Sequence, residues 1–359
     1  MRLDSEFIDE SKGFFSIKEL MYESRVREFS EKNRYSEADD VSEYLSLRRE
    51  KILEWYSFGE SKTLLELGGA FGALTGLFCK HCQSVTTVEN KKAHCEIIKK
   101  RWGCKKLRVI NENPALYTSE EQYDYIIIHE IWGYIKKLRK ESDGYRNFLN
   151  EIKKMLKPDG HIIIIADNRL ALKYFNGALD EYTKKLFVGL GKYKNYSYVE
   201  TFSLSELKKM LNSVGLTFDN VYYVMSDWHF PIAVLTDENV NVRPITVTKV
   251  SGYSYFSFFD VNEMYSELQS NGCANVFADA FIIDAKVGAT EKVSTYDFVV
   301  CSDAEYDNSN EYRFPYLDEV DILSHGYKKS VAINDHSQLK EERDIINSFI
   351  KEVYEHENA

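Results

Sequence analysis

Long apolar runs and an excess of basic residues are both missing from this sequence. No apolar stretch approaches the roughly 18 residues of a membrane-spanning helix, so we expect no membrane partner. The first residues, MRLDSEFIDESKGFF, carry acids where a secretion signal needs a basic and then an apolar stretch. With 57 acidic and 46 basic residues the formal net charge is −11, which disfavours nucleic acid as the main partner. We therefore expect a cytoplasmic protein.

Cysteine is also sparse, with six residues scattered along the chain. Cys79 and Cys82 have the C-x-x-C spacing of zinc ligands, and Cys95 and Cys104 follow. The pair lies, however, at the end of a predicted helix and in a short loop, which is a poor place for a zinc knuckle. We expect reduced thiols and no metal.

Residues 63–90, TLLELGGAFGALTGLFCKHCQSVTTVEN, organise the rest of the chain. Residues 63–67 form an apolar run typical of a buried parallel strand, and a glycine-rich turn follows at 68–72. A helix is predicted from residue 73 to 80, and a second strand over 85–88 ends at Glu89. A glycine turn between strand and helix, with an acid about 20 residues on, predicts a site for a nucleotide-type cofactor.

The glycine spacing separates the two cofactor classes that share this arrangement. Dinucleotide sites require G-x-G-x-x-G, whereas here glycines stand at 68, 69 and 72, after Glu66 in the strand. The pattern resembles the first motif of class I S-adenosylmethionine (SAM) methyltransferases, E/D-x-G-x-G-x-G. It departs at Ala70, a small residue that fits the middle glycine position. A glycine turn in an ordinary α/β protein is the remaining alternative.

Strands and helices alternate beyond the glycine turn, which predicts a parallel sheet with right-handed crossovers. Strands are expected at 107–110, 123–128 and 161–166, and helices at 93–102, 147–156, 203–215 and 260–271. The last two strands are predicted at 218–225 and 278–286, with an insertion between them; the alternative puts the last one at 232–235. The expected fold is α/β and Rossmann-like, with a mostly parallel seven-stranded sheet.

Three regions are predicted along the chain. Residues 1–58 form an N-terminal helical cap, with helical spacing around 17–28 and 42–58. Residues 59–286 form the SAM-binding core, with an insertion near 227–276. Residues 287–359 form a C-terminal extension with a strand at 297–301 and a closing helix at 338–354. The sequence leaves the oligomeric state open.

Several longer sequence segments strengthen the resemblance, which extends from about residue 44 to residue 286. The segments YLSLRREKILEWYSF, IIIIADNRLALKYFNG, ETFSLSELKKMLNSVGL and SDWHFPIAVLTDE resemble a bacterial subgroup of class I methyltransferases. Its members carry E-N-R-L-G-L-K-Y-F-x-G after the fifth strand and often accompany glycosyltransferases in glycan biosynthesis. This sequence departs at Asp167 and Ala171, where the subgroup has Glu and Gly, and at Glu130, where a small residue is usual. The resemblance implies O-methylation of a sugar, a glycan or another small polar metabolite.

The resemblance assigns cofactor roles to the first half of the core. Glu66 would orient the turn or contact the methionine ammonium through water, and Glu89 would accept both ribose hydroxyls. Asn113, with Glu112, would meet the adenine, although either could instead be a turn residue. The small residues of the turn would let methionine and ribose lie against the backbone, and they are Gly68, Gly69, Ala70 and Gly72.

Acceptor roles fall on the ends of the later strands. A hydroxyl acceptor benefits from a general base, and His129, at the end of the fourth strand, is the first candidate unless strand alternation turns it away. Glu130 has the opposite orientation, so one of the two should face the cleft. His229 is a second candidate. The residues that follow the fifth strand lie on the acceptor side and are predicted to bind the acceptor: Asn168, Arg169, Lys173 and Tyr174. Arg169 could hold a phosphate or carboxylate of the acceptor, or it could equally tie down the loop through carbonyls.

Other functions remain open at this point. N- or C-methylation of a natural product is one alternative, and a general base would be less important for it. A nicotinamide-dependent oxidoreductase would require the G-x-G-x-x-G spacing, which is absent. A non-catalytic scaffold with a SAM-binding fold would fold without binding SAM. A nucleic-acid methyltransferase would commonly show N/D-P-P-Y/F where HEIW stands here.

Overall fold

The computed structural model describes residues 47–196, 198–229, 231, 233–242, 257–288 and 299–300. The helices predicted around 17–28 and at 338–354 lie outside these residues, as does most of the region from 287 onward. The three-region division of the chain therefore stays a prediction.

One mixed sheet forms the centre of the described structure. Its order is β3-β2-β1-β4-β5-β8-β6-β7-β9. The strands are β1 (Thr63–Leu67), β2 (Ser84–Glu89), β3 (Leu107–Asn111), β4 (Tyr123–Ile128), β5 (Leu156–Asp167), β6 (Leu216–Met225), β7 (Ala233–Leu235), β8 (Ala280–Val287) and β9 (Val299–Val300). The first five strands pair in parallel, and β8 lies antiparallel between β5 and β6.

The Rossmann-like, mostly parallel sheet is confirmed, but the predicted strand number was too small. The described residues contain nine strands, because β7 and β9 extend the sheet beyond β6. The two final core strands predicted at 218–225 and 278–286 are β6 and β8. The alternative strand at 232–235 also exists, as β7, but it pairs on the outer side of β6.

The helices connect and cover these strands. They are α1 (Thr75–His81), α2 (Lys92–Trp102), α3 (Ile135–Arg139), α4 (Gly144–Lys154), α5 (Leu172–Phe175), α6 (Leu204–Ser213) and α7 (Val261–Ser270). Ser203 and Glu206 form the capping box that starts α6, since each side chain bonds the other's backbone amide. No helix in the described part of the chain is long and apolar enough to cross a membrane.

The segment before β1 differs from the predicted helix at 42–58. Its described part is a short 3₁₀ helix, Leu47–Ile52, followed by turns up to residue 58. Ile52, Leu53, Trp55 and Phe58 are all buried against one face of the sheet. We attribute the loss of helical geometry to this packing, because four apolar side chains within seven residues cannot all reach one surface from a regular helix.

Both faces of the sheet are buried. Along β5, Ile162 and Ile164 pack on the side covered by α4 and α6, whereas Ile163 and Ile165 pack on the side covered by α1 and the 52–58 segment. Continuous apolar strands are typical of sheets covered on both faces. The polar residues that follow these strands therefore gather at the carboxyl edge of the sheet, where ligands of this fold bind.

Candidate active site

The turn after β1 is built from left-handed backbone. Gly68, Ala70 and Gly72 have φ angles of +89°, +47° and +80°. Glycine adopts such angles without strain, whereas alanine does so at a cost of about 1–2 kcal/mol. The turn reverses the chain within five residues and leads it toward α1, and its residues are buried.

Close packing explains why the turn needs glycine. A Cβ atom on Gly69 would lie 2.3 Å from Thr87 Cγ2, and one on Gly72 would lie 2.9 Å from the Trp102 ring. The Trp102 indole also donates a hydrogen bond of 2.7 Å to the Gly72 carbonyl. The turn is therefore pressed between β2 and α2, and its shape is fixed by the protein itself.

Glu89 lies where a ribose-binding acid is expected. Its Oε2 accepts a hydrogen bond of 3.0 Å from the Ala70 amide, and its Oε1 accepts one of 3.0 Å from the Lys91 amide. Each oxygen keeps a further lone pair, so the carboxylate can still accept from a vicinal diol. Burial raises the pKa of Glu89. The glycine turn and this acid lie side by side, as the methionine and ribose parts of SAM would require.

Glu66 is enclosed beneath the glycine turn. Its Oε2 accepts hydrogen bonds of 2.6 Å from the hydroxyls of Thr75 and Thr87, and its Oε1 lies 3.2 Å from His129 Nε2. These contacts join β1, the start of α1, β2 and the end of β4. The geometry favours the first predicted role of Glu66, which is to orient the turn.

Asn113 and Glu112 follow β3. The Asn113 side chain accepts from the Ala115 amide at 3.0 Å and donates to the Leu138 carbonyl at 3.1 Å, so it stabilises a turn. Glu112 is exposed. A contact of either residue with adenine stays a prediction.

His129 and Glu130 have different partners. His129 is fully enclosed and faces Glu66, whereas Glu130 accepts a hydrogen bond from the buried Arg49 guanidinium. Arg49 comes from the 3₁₀ helix before β1, and its guanidinium carbon lies 5.3 Å from the centre of the Trp228 ring. The structure therefore brings together four charged residues that the sequence pattern did not connect.

Three predicted acceptor residues have partners within the protein. Asn168 donates to the carbonyls of Val276 and Ala278, both at 2.8 Å. Arg169 forms a bidentate ion pair with Glu206, at 2.7 and 3.1 Å. Tyr174 is buried in a small apolar cluster. Contact of these side chains with an acceptor stays a prediction, and the structure gives each a structural role.

His229 lies beside two carboxylates. Its Nδ1 is 2.6 Å from Asp227 Oδ1 and 3.8 Å from Glu181 Oε1, and its ring stacks on Trp228 at 3.8 Å. Burial would lower the pKa of His229, but the Asp227 carboxylate outweighs burial and the pKa is raised. The acids around it therefore favour the protonated form of the histidine.

An acidic cluster surrounds the end of β5, and we define it as Asp167, Glu181, Asp227 and Asp279. All four carboxylates act on the ammonium of Lys173, which extends from α5. Asp167 Oδ2 accepts from the Tyr182 hydroxyl at 2.5 Å, and Asp279 Oδ2 accepts from the Ser226 amide at 2.8 Å. The cluster thus combines side chains from four separate parts of the chain.

The protonation of the acidic cluster is shifted by burial. Burial raises the pKa of Glu181 to about 7 and that of Asp279 to about 6, and it also raises the pKa of Asp167. Neighbouring carboxylates add to the shift at Glu181. The four acids outnumber the two basic groups beside them, Lys173 and His229, so the cluster can accept a further cation.

Sequence reasoning missed most of this cluster as a site. Asp167, Asp227 and Asp279 adjoin the ends of β5, β6 and the start of β8, and acids at strand ends were a usable signal. Glu181 stands in the irregular segment between α5 and α6, where the sequence gives no pattern that would single it out.

The cysteines of the described residues are free thiols. Burial raises the pKa of Cys79 and of Cys82 to about 12, which disfavours the thiolates that zinc requires. Cys301 lies outside the described residues.

Comparison with known proteins adds a family match. The family model of nodulation protein S (NodS) matches residues 32–175, which include β1 to β5, the glycine turn and Glu89. No curated protein matches the chain.

Similar solved structures are methyltransferases. NodS from Bradyrhizobium japonicum WM9 is 16% identical over 50% of this chain and 86% of that chain, with a TM-score of 0.38. Its complex with S-adenosylhomocysteine (SAH) is 17% identical over 51% and 80%, also at 0.38. The CcbJ methyltransferase from Streptomyces caelestis is 12% identical over 67% and 90%, with a TM-score of 0.42.

The family match and the geometry agree. The matched residues contain the glycine turn, the acid after β2 and the first five strands in the order of a class I methyltransferase. The described core is that of a SAM-dependent methyltransferase, with SAM as the methyl donor.

Proposed function

We propose that this methyltransferase methylates an amine nitrogen on a sugar or another small polar metabolite. The observation that supports this most is the excess of carboxylates at the carboxyl ends of β5 and β6. An acceptor that arrives as an ammonium ion would compensate that charge, whereas a neutral polyol would leave it uncompensated.

Unused hydrogen-bonding capacity in the acidic cluster supports the same choice. Among the described residues, Asp167 Oδ1 is buried and has no hydrogen-bond partner. The Glu181 side chain is 22% exposed and makes no hydrogen bond within the described ranges, and its Oε1 is 3.8 Å from His229 Nδ1. Buried polar atoms of native proteins are normally satisfied. An ammonium group, with its hydrogen-bond donors, would satisfy both carboxylates.

The chemistry of amine methylation matches the protonation of the cluster. SAM supplies an electrophilic methyl group that leaves its sulfur as the bond to the acceptor forms. The acceptor amine must first lose a proton, because an ammonium ion has no lone pair. Glu181, whose pKa burial raises to about 7, can accept that proton near neutral pH. Asp167 would keep the amine in place, and the turn and Glu89 would hold the donor.

Family and context agree with this proposal. The matching family is named after NodS, and NodS from Bradyrhizobium japonicum WM9 is described as an N-methyltransferase. The motif resemblance between residues 44 and 286 further suggests an acceptor from glycan biosynthesis.

O-methylation of a sugar is the second candidate, and one observation favours it. His229 is oriented by Asp227 at 2.6 Å, an arrangement that also activates hydroxyl groups. For this role His229 would have to release its proton first, because the acids around it raise its pKa.

Methyl transfer to matched acceptors tests the proposal. Purified full-length protein is incubated with labelled SAM and either glucosamine or glucose, then with their nucleotide-linked forms, and products are located by mass spectrometry. We expect label on nitrogen of the amino member of a pair and none on the hydroxyl-only member. Label on oxygen, at equal rates in both members, would establish the second candidate instead.

A further inference from the structure

A chain of alternating charges runs through the protein from the segment before β1 to the glycine turn. Arg49 donates to Glu130, Glu130 Oε1 is 3.8 Å from His129 Nδ1, and His129 Nε2 is 3.2 Å from Glu66 Oε1. The side chains of His129 and Glu66 are fully buried, and Arg49 is 2% exposed. The order along the chain is cation, anion, cation, anion.

The far end of this chain holds the cofactor turn. Glu66 Oε2 accepts from Thr75, at the start of α1, and from Thr87, on β2. A Cβ atom on Gly69 would lie 3.4 Å from the same oxygen. Glu66 therefore fixes both flanks of the turn from below, and its remaining oxygen depends on His129.

The environment of His129 stabilises the imidazolium. Burial would lower the pKa of His129, but Glu130 and Glu66 outweigh it and raise the pKa to about 9. The charged groups that face it are Glu66 from β1 and Glu130 from its own loop, with Arg49 behind Glu130. Burial would raise the pKa of Glu130, but Arg49 and His129 lower it to about 2. At neutral pH His129 already carries its proton and cannot act as a base.

We propose that Arg49, Glu130, His129 and Glu66 form a positioning chain that holds the glycine turn in its cofactor-binding shape. In this chain His129 is a positioning residue that acts through Glu66, not a base toward the acceptor. Loss of the His129 proton leaves the buried Glu66 and the partly buried Glu130 without a cation between them, and the turn loses its support. The inference requires only SAM binding and is independent of the acceptor.

SAH binding provides a test that needs no acceptor. Affinity is measured by calorimetry on full-length protein between about pH 7 and pH 10, the range around the raised histidine pKa. Because His129 is favoured as a cation, affinity should be full below its pKa and should fall as the pH rises through about 9. The SAH amino group also titrates in this range, so the result is read as a difference between variants.

His129→Gln and His161→Gln form a matched pair. His161 also bonds a carboxylate, with Nδ1 at 2.7 Å from Asp284, but it lies at the start of the apolar run of β5, away from the turn. We expect His129→Gln to bind SAH roughly tenfold more weakly near neutral pH and to lack the additional alkaline loss, while His161→Gln follows the wild type. Equal pH dependence in wild type and His129→Gln would overturn the proposal.

Two measurements keep the test decisive if His129→Gln folds poorly. The double variant Glu66→Gln and His129→Gln replaces the ion pair by two amides, and it should recover part of the affinity lost in Glu66→Gln alone. In the wild type, NMR of labelled histidine rings should show a ring that titrates above about pH 8, and this signal should persist in His161→Gln and in His229→Gln. Additive losses in the cycle, or no ring titrating in that range, would contradict the positioning chain.

Discussion

The two halves of the site are built in opposite ways. On the cofactor side, Glu66 and Glu89 already bond hydroxyls and amides of the protein, and the partners come mainly from residues 66–91. On the proposed acceptor side, the carboxylates come from residues 167, 181, 227 and 279, and Asp167 and Glu181 keep unused hydrogen-bonding atoms in the described structure. We infer that the cofactor side is preorganised for SAM. The other side keeps hydrogen-bond acceptor atoms that the acceptor molecule would use.

The largest expected effect is a loss of activity from a substitution on the proposed acceptor side, with the cofactor side left intact. Glu181→Gln removes the proposed base and should lower kcat for an amine acceptor by roughly 10²- to 10⁴-fold. The wild-type rate should rise as the pH passes about 7, where Glu181 loses its proton, and the variant should lack this rise. SAH affinity should stay unchanged. Glu120→Gln, an exposed acid, is the control; full activity in Glu181→Gln would remove Glu181 from the mechanism.

Glu89→Ala should weaken cofactor binding and leave the acidic cluster unchanged. The variant loses a carboxylate that can accept from both ribose hydroxyls, so SAH affinity should fall roughly 100-fold or more. Glu89→Gln keeps one acceptor oxygen, so its SAH affinity should lie between that of the wild type and that of Glu89→Ala. Calorimetric titration measures both, with Glu96→Ala on the exposed face of α2 as control. Unchanged affinity in a folded Glu89→Ala protein would place the ribose elsewhere.

Gly72→Ala tests how rigidly the turn is packed. The new Cβ atom would lie 2.9 Å from the Trp102 ring at a φ angle of +80°, so the free energy of unfolding should fall by about 2 kcal/mol. In Gly191→Ala, in the segment between α5 and α6, the new Cβ atom meets only carbonyl oxygens at 3.5 and 3.6 Å, so the free energy of unfolding should hardly change. Urea denaturation compares the two variants. Equal midpoints would show that the cofactor turn is no more constrained than the loop.

The smallest expected effect is a gain in the free energy of unfolding. Ala70 holds a left-handed backbone conformation at a φ angle of +47°, so Ala70→Gly should raise the free energy of unfolding by about 1 kcal/mol. Ala73→Gly, three residues further along and outside the left-handed region, should lower it instead. Denaturation in urea gives the sign of each change. A loss of stability in Ala70→Gly would mean that the Ala70 methyl group contributes packing worth more than the backbone strain.

The same contrast explains which features the sequence could predict. The cofactor turn lies within residues 63–90, so its strand, glycines and acid are neighbours in sequence as well as in space. The acidic cluster joins residues 167, 181, 227 and 279, and only the strand order brings them together. Residue type was informative at Asn113 and Arg169, but their partners, Leu138 and Glu206, could not be inferred because they depend on helix placement.

The position of β8 also sets an order of assembly. β8 forms hydrogen bonds with β5 on one side and β6 on the other, although the chain produces it after β7. During synthesis, β5 and β6 therefore wait as unpaired edges until residues 280–287 emerge, and such edges invite wrong pairing. Asp279 directly precedes β8, so the acidic cluster is completed by the same late step. A nascent chain can thus form its cofactor turn well before it acquires a complete acceptor site.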